Sequence, residues 1–289
     1  MKKRTSARRI LIIVAVFLVI LLYIGFPTAM AVVSIAPDGG TPGNPPADFT
    51  SVTLTTADNL HLGAWYAEPE NGAVIILVHG AGGGRESVTG FAEMLHRSGF
   101  GVLAVSLSGF GDSEGQINRR GWNGTRDIGA AVTFLQTRPE VRSIGGLGLS
   151  MGGEILLGAA STYPGLTAVA VDGATFRALN EYVMLPMNEP LYRNFTHRVL
   201  SFALGVFSGD SQPEPPILTS IQAAEGTYFL FIAAGNVDEE IAFNQFYQDA
   251  VGERGDLWIV PNAGHTGGFG SVPEEYERRV IEFFRAHLL

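Results

Sequence analysis

Cysteine is absent from the 289-residue chain, which excludes a disulfide framework, a thiol nucleophile and a zinc–thiolate site. Nucleophilic chemistry must therefore use oxygen or nitrogen groups. Charge is scarce too: Asp, Glu, Lys and Arg make up 16% of the residues against 46% hydrophobic, a balance that excludes disorder. Basic residues are the scarcer sign, 19 against 28 acidic, and five of them (Lys2, Lys3, Arg4, Arg8 and Arg9) precede residue 10. The remainder is strongly acidic and shows no basic patch, so a nucleic-acid partner is not expected. No internal repeat at a fixed period is evident.

Ile10 to Phe26 is apolar and uncharged, and no acidic residue occurs before Asp38. Seventeen helical residues span roughly 25 Å, and an extension to Ile35 exceeds the roughly 30 Å hydrocarbon core of a bilayer. A transmembrane signal anchor over residues 10–35 is expected, with the basic tail 1–9 cytoplasmic and the rest of the chain extracytoplasmic. The alternative is secretion after cleavage at the small-x-small site Ala29-Met30-Ala31; the apolar stretch is longer than a signal peptide needs. Residues 36–48 hold four prolines and three glycines and read as a spacer.

From residue 49 to 289, strand and helix patterns alternate. Val52–Thr55 and Leu60–Tyr66 read as a hairpin turning at Asp58-Asn59, and Ala73–Val78 as a strand buried on both faces. Further strands are expected at Gly101–Ser106, Ile144–Leu149, Leu166–Val171, Thr227–Ala233 and Leu257–Val260. Helices are expected at Phe91–His96, Thr125–Gln136, Gly153–Ala160, Ile241–Asp249 and Glu274–Leu289. The pattern implies an α/β fold with a mostly parallel sheet covered on both faces. Alternation stops in about 174–225, whose many Phe, Leu, Met and Tyr residues read as an inserted helical cap.

Gly148-Leu-Ser150-Met-Gly152 is a G-x-S-x-G sequence lying directly between an expected buried strand and an expected helix, the context that a nucleophile elbow requires. Such a turn forces a strained backbone on Ser150 and demands small neighbours. A serine hydroxyl becomes a useful nucleophile when a neutral imidazole takes its proton, and a carboxylate on the other ring nitrogen fixes the tautomer.

On these residues the chain resembles the α/β-hydrolase superfamily over roughly residues 50–289. The resemblance implies a triad in the order Ser150, Asp238, His265, because Asp238 follows one late strand in Gly235-Asn-Val-Asp238 and His265 follows the next in Pro261-Asn-Ala-Gly-His265. Asp172 is the runner-up for the acid, and Glu239 and Glu240 are expected to be solvated. The resemblance also assigns the oxyanion-hole N–H groups to Ala81 and Met151 and a structural role to His79. One departure is visible. Many members carry Asp-x-Arg-Gly-x-Gly-x-Ser after the strand before the elbow, whereas this chain reads Ser106-Leu-Ser108-Gly-Phe-Gly-Asp112-Ser113, so the family's buried ion pair cannot form in that way.

A carboxylic ester hydrolase of esterase or lipase type is therefore expected, with no cofactor and no metal. A serine peptidase or thioesterase of the same fold, and a non-catalytic binding domain, are the alternatives. The apolar cap, including Met184, Met187 and Phe195, is expected to bind hydrophobic acyl or lipid-like substrates.

Overall fold

A computed structural model describes all residues except 1, 37–39, 117–119, 186–190, 210 and 214. The chain forms two compact units: residues 1–36 with 186–211, and residues 37–185 with 212–289.

The first unit is helical. Helix α1 (Lys2–Ile20) passes through a π-helical turn at Leu21–Gly25 into α2 (Phe26–Ile35). Ala7–Ile35 is a 29-residue helical stretch, long and apolar enough to cross a membrane. No side chain from Arg8 to Phe26 is fully buried.

The second unit is built on an eight-stranded sheet in the order β1-β2-β4-β3-β5-β6-β7-β8. The hairpin β1 (Thr50–Thr55) and β2 (His61–Ala67) pairs antiparallel, and β2 pairs antiparallel with β4. The hairpin turn lies where Asp58-Asn59 placed it. Asn59 takes a left-handed φ of 65°, and Thr56 Oγ1 donates to Asp58 Oδ1 at 2.6 Å. The remaining pairs are parallel: β3 (Ala73–Val78) lies between β4 and β5, and β5, β6, β7 and β8 follow in order. All six side chains of β3 are inaccessible, as its unbroken apolar run requires of a strand covered twice.

Between strands run α3 (Thr89–Arg97), β4 (Gly101–Val105), α4 (Gly124–Gln136), β5 (Ser143–Leu149), α5 (Met151–Ala159) and β6 (Leu166–Asp172). Then come α6 (Leu179–Tyr182), α7 (Leu191–Ser208), α8 (Ile217–Ala223), β7 (Tyr228–Ala234), α9 (Asp238–Val251), β8 (Gly255–Val260), α10 (Gly268–Ser271) and α11 (Pro273–Leu288). Ile75 and Leu77 share one core with Phe91 and Leu95 of α3 and Val280 and Phe284 of α11. On the other side α4 packs on α5, α5 on α8, and α8 on α9. Each strand expected from the sequence is present within about two residues.

The expected cap is not one body. Helix α8 packs into the second unit, whereas α7 belongs with the N-terminal helix and packs along α2. Apolar composition showed that these helices needed partners and carried no information about which. The segment also holds a buried ion pair in the second unit. Arg177 and Glu181 are inaccessible, and Glu181 accepts the backbone N–H of Ala178 at 3.1 Å and of Ile217 at 2.9 Å. That pair ties the start of α8 to the loop after β6.

Candidate active site

The strand-to-helix turn places Ser150 as the G-x-S-x-G context requires. Ser150 has φ 50° and ψ −120°, a sparsely populated region for a residue bearing a Cβ, and its N–H donates to Asp172 O at 2.8 Å. The flanking glycines are sterically required. A Cβ on Gly148 would meet the Gly152 carbonyl at 2.5 Å, and one on Gly152 would collide with the backbone of Val78 and His79. The elbow therefore packs backbone against backbone.

His265 sits in the loop after β8, and its Nε2 lies 2.8 Å from Ser150 Oγ. Its Nδ1 lies 2.5 Å from Glu240 Oε1. A proton on Nδ1 donated to the carboxylate leaves Nε2 with a lone pair for the serine hydroxyl, the tautomer needed for proton abstraction. The Glu240 hydrogen bond holds the His265 pKa above its ordinary value; partial burial opposes this and the Glu240 charge reinforces it.

Asp238, the acid expected from the sequence, is corrected by this geometry. Helix α9 begins at Asp238 rather than at Ile241, so residues 238–240 form its first turn instead of a loop. Asp238 faces solvent, whereas Glu240 is 1% exposed and accepts the Ala234 N–H at 2.8 Å. The solvated role expected for Glu240 is thereby corrected as well. The runner-up, Asp172, is buried beside this pair without bonding the imidazole. Burial raises its carboxyl to about 7, and the nearby Glu240 charge acts in the same direction. Burial likewise raises Glu154, in α5, to about 7, where Thr175 donates to it through N–H and Oγ1.

Beside Ser150 lies a cleft of about 400 Å³, formed by the glycine loop Gly80–Gly83 with Ser87, Leu149 and Thr266. Ala81 and Met151, expected to supply the oxyanion hole, stand at its edge and just after Ser150. The Met151 N–H is among the orphan donors at the start of α5, which makes it available to an anion. Of the three side chains expected to bind substrate, Met187 lies outside the described residues, Met184 follows α6 and is exposed, and Phe195 belongs to α7. Neither Met184 nor Phe195 lines this cleft.

His79 is structural: its Nε2 accepts the Leu107 N–H at 3.1 Å, its Nδ1 donates to Gly80 O at 2.7 Å, and its ring meets Phe110. The serine-substituted loop is braced in another way. Arg85, almost fully buried, pairs with Asp112 at 2.5 and 2.8 Å and donates to Ser106 Oγ at 3.1 Å. Ser108 donates through N–H and Oγ to buried Asp127 at 2.8 and 2.7 Å. Small hydroxyls at 106 and 108 thus leave room for charges supplied from the glycine loop and α4.

A family model described as serine aminopeptidase, S33, matches residues 69–217, just over half of the chain. The uncharacterized protein YfhR of Salmonella typhi is 30% identical over 131 residues, 43% of this chain and 44% of that protein. The alignment thus spans less than half the length of such curated relatives. Among solved structures, the Pyrococcus furiosus esterase Pf2001 has a TM-score of 0.69 at 20% identity, covering 89% of this chain and 99% of its own. The α/β hydrolase GrgF from Penicillium sp. sh18 gives 0.65 at 18%, covering 83% and 99%. Dienelactone hydrolase from Anabaena variabilis gives 0.60 at 17%, covering 83% and 98%. At these identities the structural likeness is one of fold, and it agrees with the family match: the chain belongs to the serine aminopeptidase S33 family of the α/β-hydrolase superfamily.

Proposed function

We propose that the chain is a serine hydrolase of carboxylic esters, held at a membrane by its N-terminal helix. The observation that carries this reading is the continuous hydrogen-bond chain from Ser150 Oγ through His265 to Glu240. In the proposed reaction His265 Nε2 takes the Ser150 proton as Oγ bonds to the ester carbonyl carbon. The carbonyl oxygen becomes an oxyanion and accepts N–H bonds from Ala81 and Met151. Glu240 orients the ring and stabilises the imidazolium. Collapse breaks the ester C–O bond, and the alcohol departs with the proton from His265. Water then attacks the acyl-enzyme by the same route, releasing the acid and restoring Ser150. These steps require neither metal nor organic cofactor.

Hydrophobic acyl or lipid-like esters are the proposed substrates, because an anchoring helix tethers the catalytic unit to the phase in which such molecules partition. The five cations ahead of that helix favour a cytoplasmic N-terminus and an extracytoplasmic catalytic unit. The second reading, a peptidase, is favoured by the family description. It ranks lower because the described residues that line the cleft include no carboxylate to hold a charged amino terminus.

The full-length protein should react covalently with a fluorophosphonate probe, and Ser150→Ala should abolish labelling. Equal labelling of the variant would overturn the assignment. With esters of increasing acyl length, kcat/KM should rise from acetyl to medium chains. A steady fall, or faster turnover of aminoacyl amides, would move the reading to small esters or peptides.

A further inference from the structure

The N-terminal unit contains a groove of about 410 Å³ that the ester-hydrolysis reading does not use. Its walls are Ile24 and Thr28 from the N-terminal helix and Val199, Phe202, Val206 and Phe207 from α7, with Arg198 among the lining residues. We propose that this groove binds a membrane phospholipid, an acyl chain lying between the two helices and the phosphate held by Arg198.

Several independent features converge on that ligand. Helix α7 buries only Ala203 and Leu204, and α2 buries only Pro27 and Ala31, so the pair is joined through few and mostly small side chains. The rest of the apolar surface stays bare: Leu191, Phe202 and Val206 are 89%, 75% and 59% exposed. In water so many contiguous exposed apolar groups are unfavourable, whereas beside acyl chains they are not. They continue the lipid-length surface of Ala7–Ile35 within the same compact unit, so one solvent serves both helices. The volume falls in the range of small-molecule sites, roughly 300–1,000 Å³.

Charge narrows the choice further. Helices α1, α2 and α7 contain no Asp or Glu, and among the described residues Arg198 is exposed and has no carboxylate partner. A guanidinium is a planar fork of donors that matches phosphate oxygens, and its stem can lie along an apolar wall while the head reaches the headgroup layer. A neutral hydrocarbon ligand would leave that cation unused. A phospholipid satisfies both parts of the groove.

This inference rests on the membrane-anchor reading, and the experiment separates the two. Because the chain has no cysteine, single-cysteine variants carry a probe without background. Leu18→Cys, Phe202→Cys and Ser51→Cys are all at exposed positions, on α1, α7 and the sheet edge. Full-length protein labelled with an environment-sensitive fluorophore is placed in phospholipid vesicles containing chain-nitroxide lipid. Fluorescence should be lost at positions 18 and 202 and kept at 51. Loss at 18 alone would leave the anchor standing and overturn the groove proposal; no loss at either would overturn both. Phospholipid retained after detergent extraction, read by native mass spectrometry, should fall in Arg198→Gln and be restored in Arg198→Lys. Unchanged retention in Arg198→Gln would remove the phosphate contact and with it the proposed ligand.

Discussion

Strand β3 and the N-terminal helix are made of nearly the same residues and have opposite fates. Ala73–Val78 is inaccessible throughout, whereas every large apolar side chain from Ile10 to Leu22 is about half exposed or more. Both segments obey the same transfer preference, yet one satisfies it inside the protein and the other awaits a solvent the chain does not supply. The lesson is that an apolar run specifies dehydration and leaves open what performs it. Period, length and flanking charge decide between sheet and bilayer. Helix α7 is the harder case, because a polar first half is joined to a second half whose Phe202, Val206 and Phe207 are exposed.

The largest expected effect lies in the catalytic unit. Glu240→Gln should lower kcat by roughly 10⁴-fold, the loss associated with a wrongly held imidazole, while Asp238→Asn should stay near wild type. Reversed outcomes in steady-state kinetics would restore Asp238. Next comes packing, which tests the contrast between the regions directly. Ile76→Ala should cost about 2–5 kcal/mol of unfolding free energy, whereas Phe202→Ala in detergent should change it by no more than about 0.5 kcal/mol. Equal costs in denaturant titrations would mean that α7 is protein core. The smallest effect is a displacement along the pH axis. Protonated His265 cannot accept the serine proton, so kcat/KM should fall as pH falls through its pKa, with a midpoint above the usual 6.5. In Glu240→Gln the residual activity should show that midpoint moved down, since the group that favours the imidazolium is gone. A midpoint unmoved by the substitution would break the link between Glu240 and His265.

The pairing of Ser150 with His265 in the candidate site was legible beforehand. Ser150 was readable because the strand and helix patterns around G-x-S-x-G admit one kind of turn, and His265 because it follows the next late strand at the loop. Glu240 was not. Three consecutive acids at the start of a helix are each explained by the helix dipole, so spacing alone selects none of them. Choosing the third required knowing that α9 starts at Asp238 and that position 240 turns inward to the Ala234 N–H. The partner of α7 was illegible for a related reason: side-chain chemistry records that a face is apolar, and pairing depends on where a distant segment lies. The loop at Ser106–Ser113 gave a partial answer, since the absent charges were visible and their replacements from Arg85 and Asp127 were not.

The burial of Ala31 reaches beyond packing. It is wholly inaccessible, on the helix against which α7 packs, and it is also the end of the Ala29-Met30-Ala31 sequence that a leader peptidase would read. Cleavage demands an extended, accessible backbone, so that turn of helix must melt before it can be cut. Cutting there would in addition strip α7 of most of its companion helix. Packing of α7 on α2 therefore works against cleavage at Ala31 for as long as the two helices stay together.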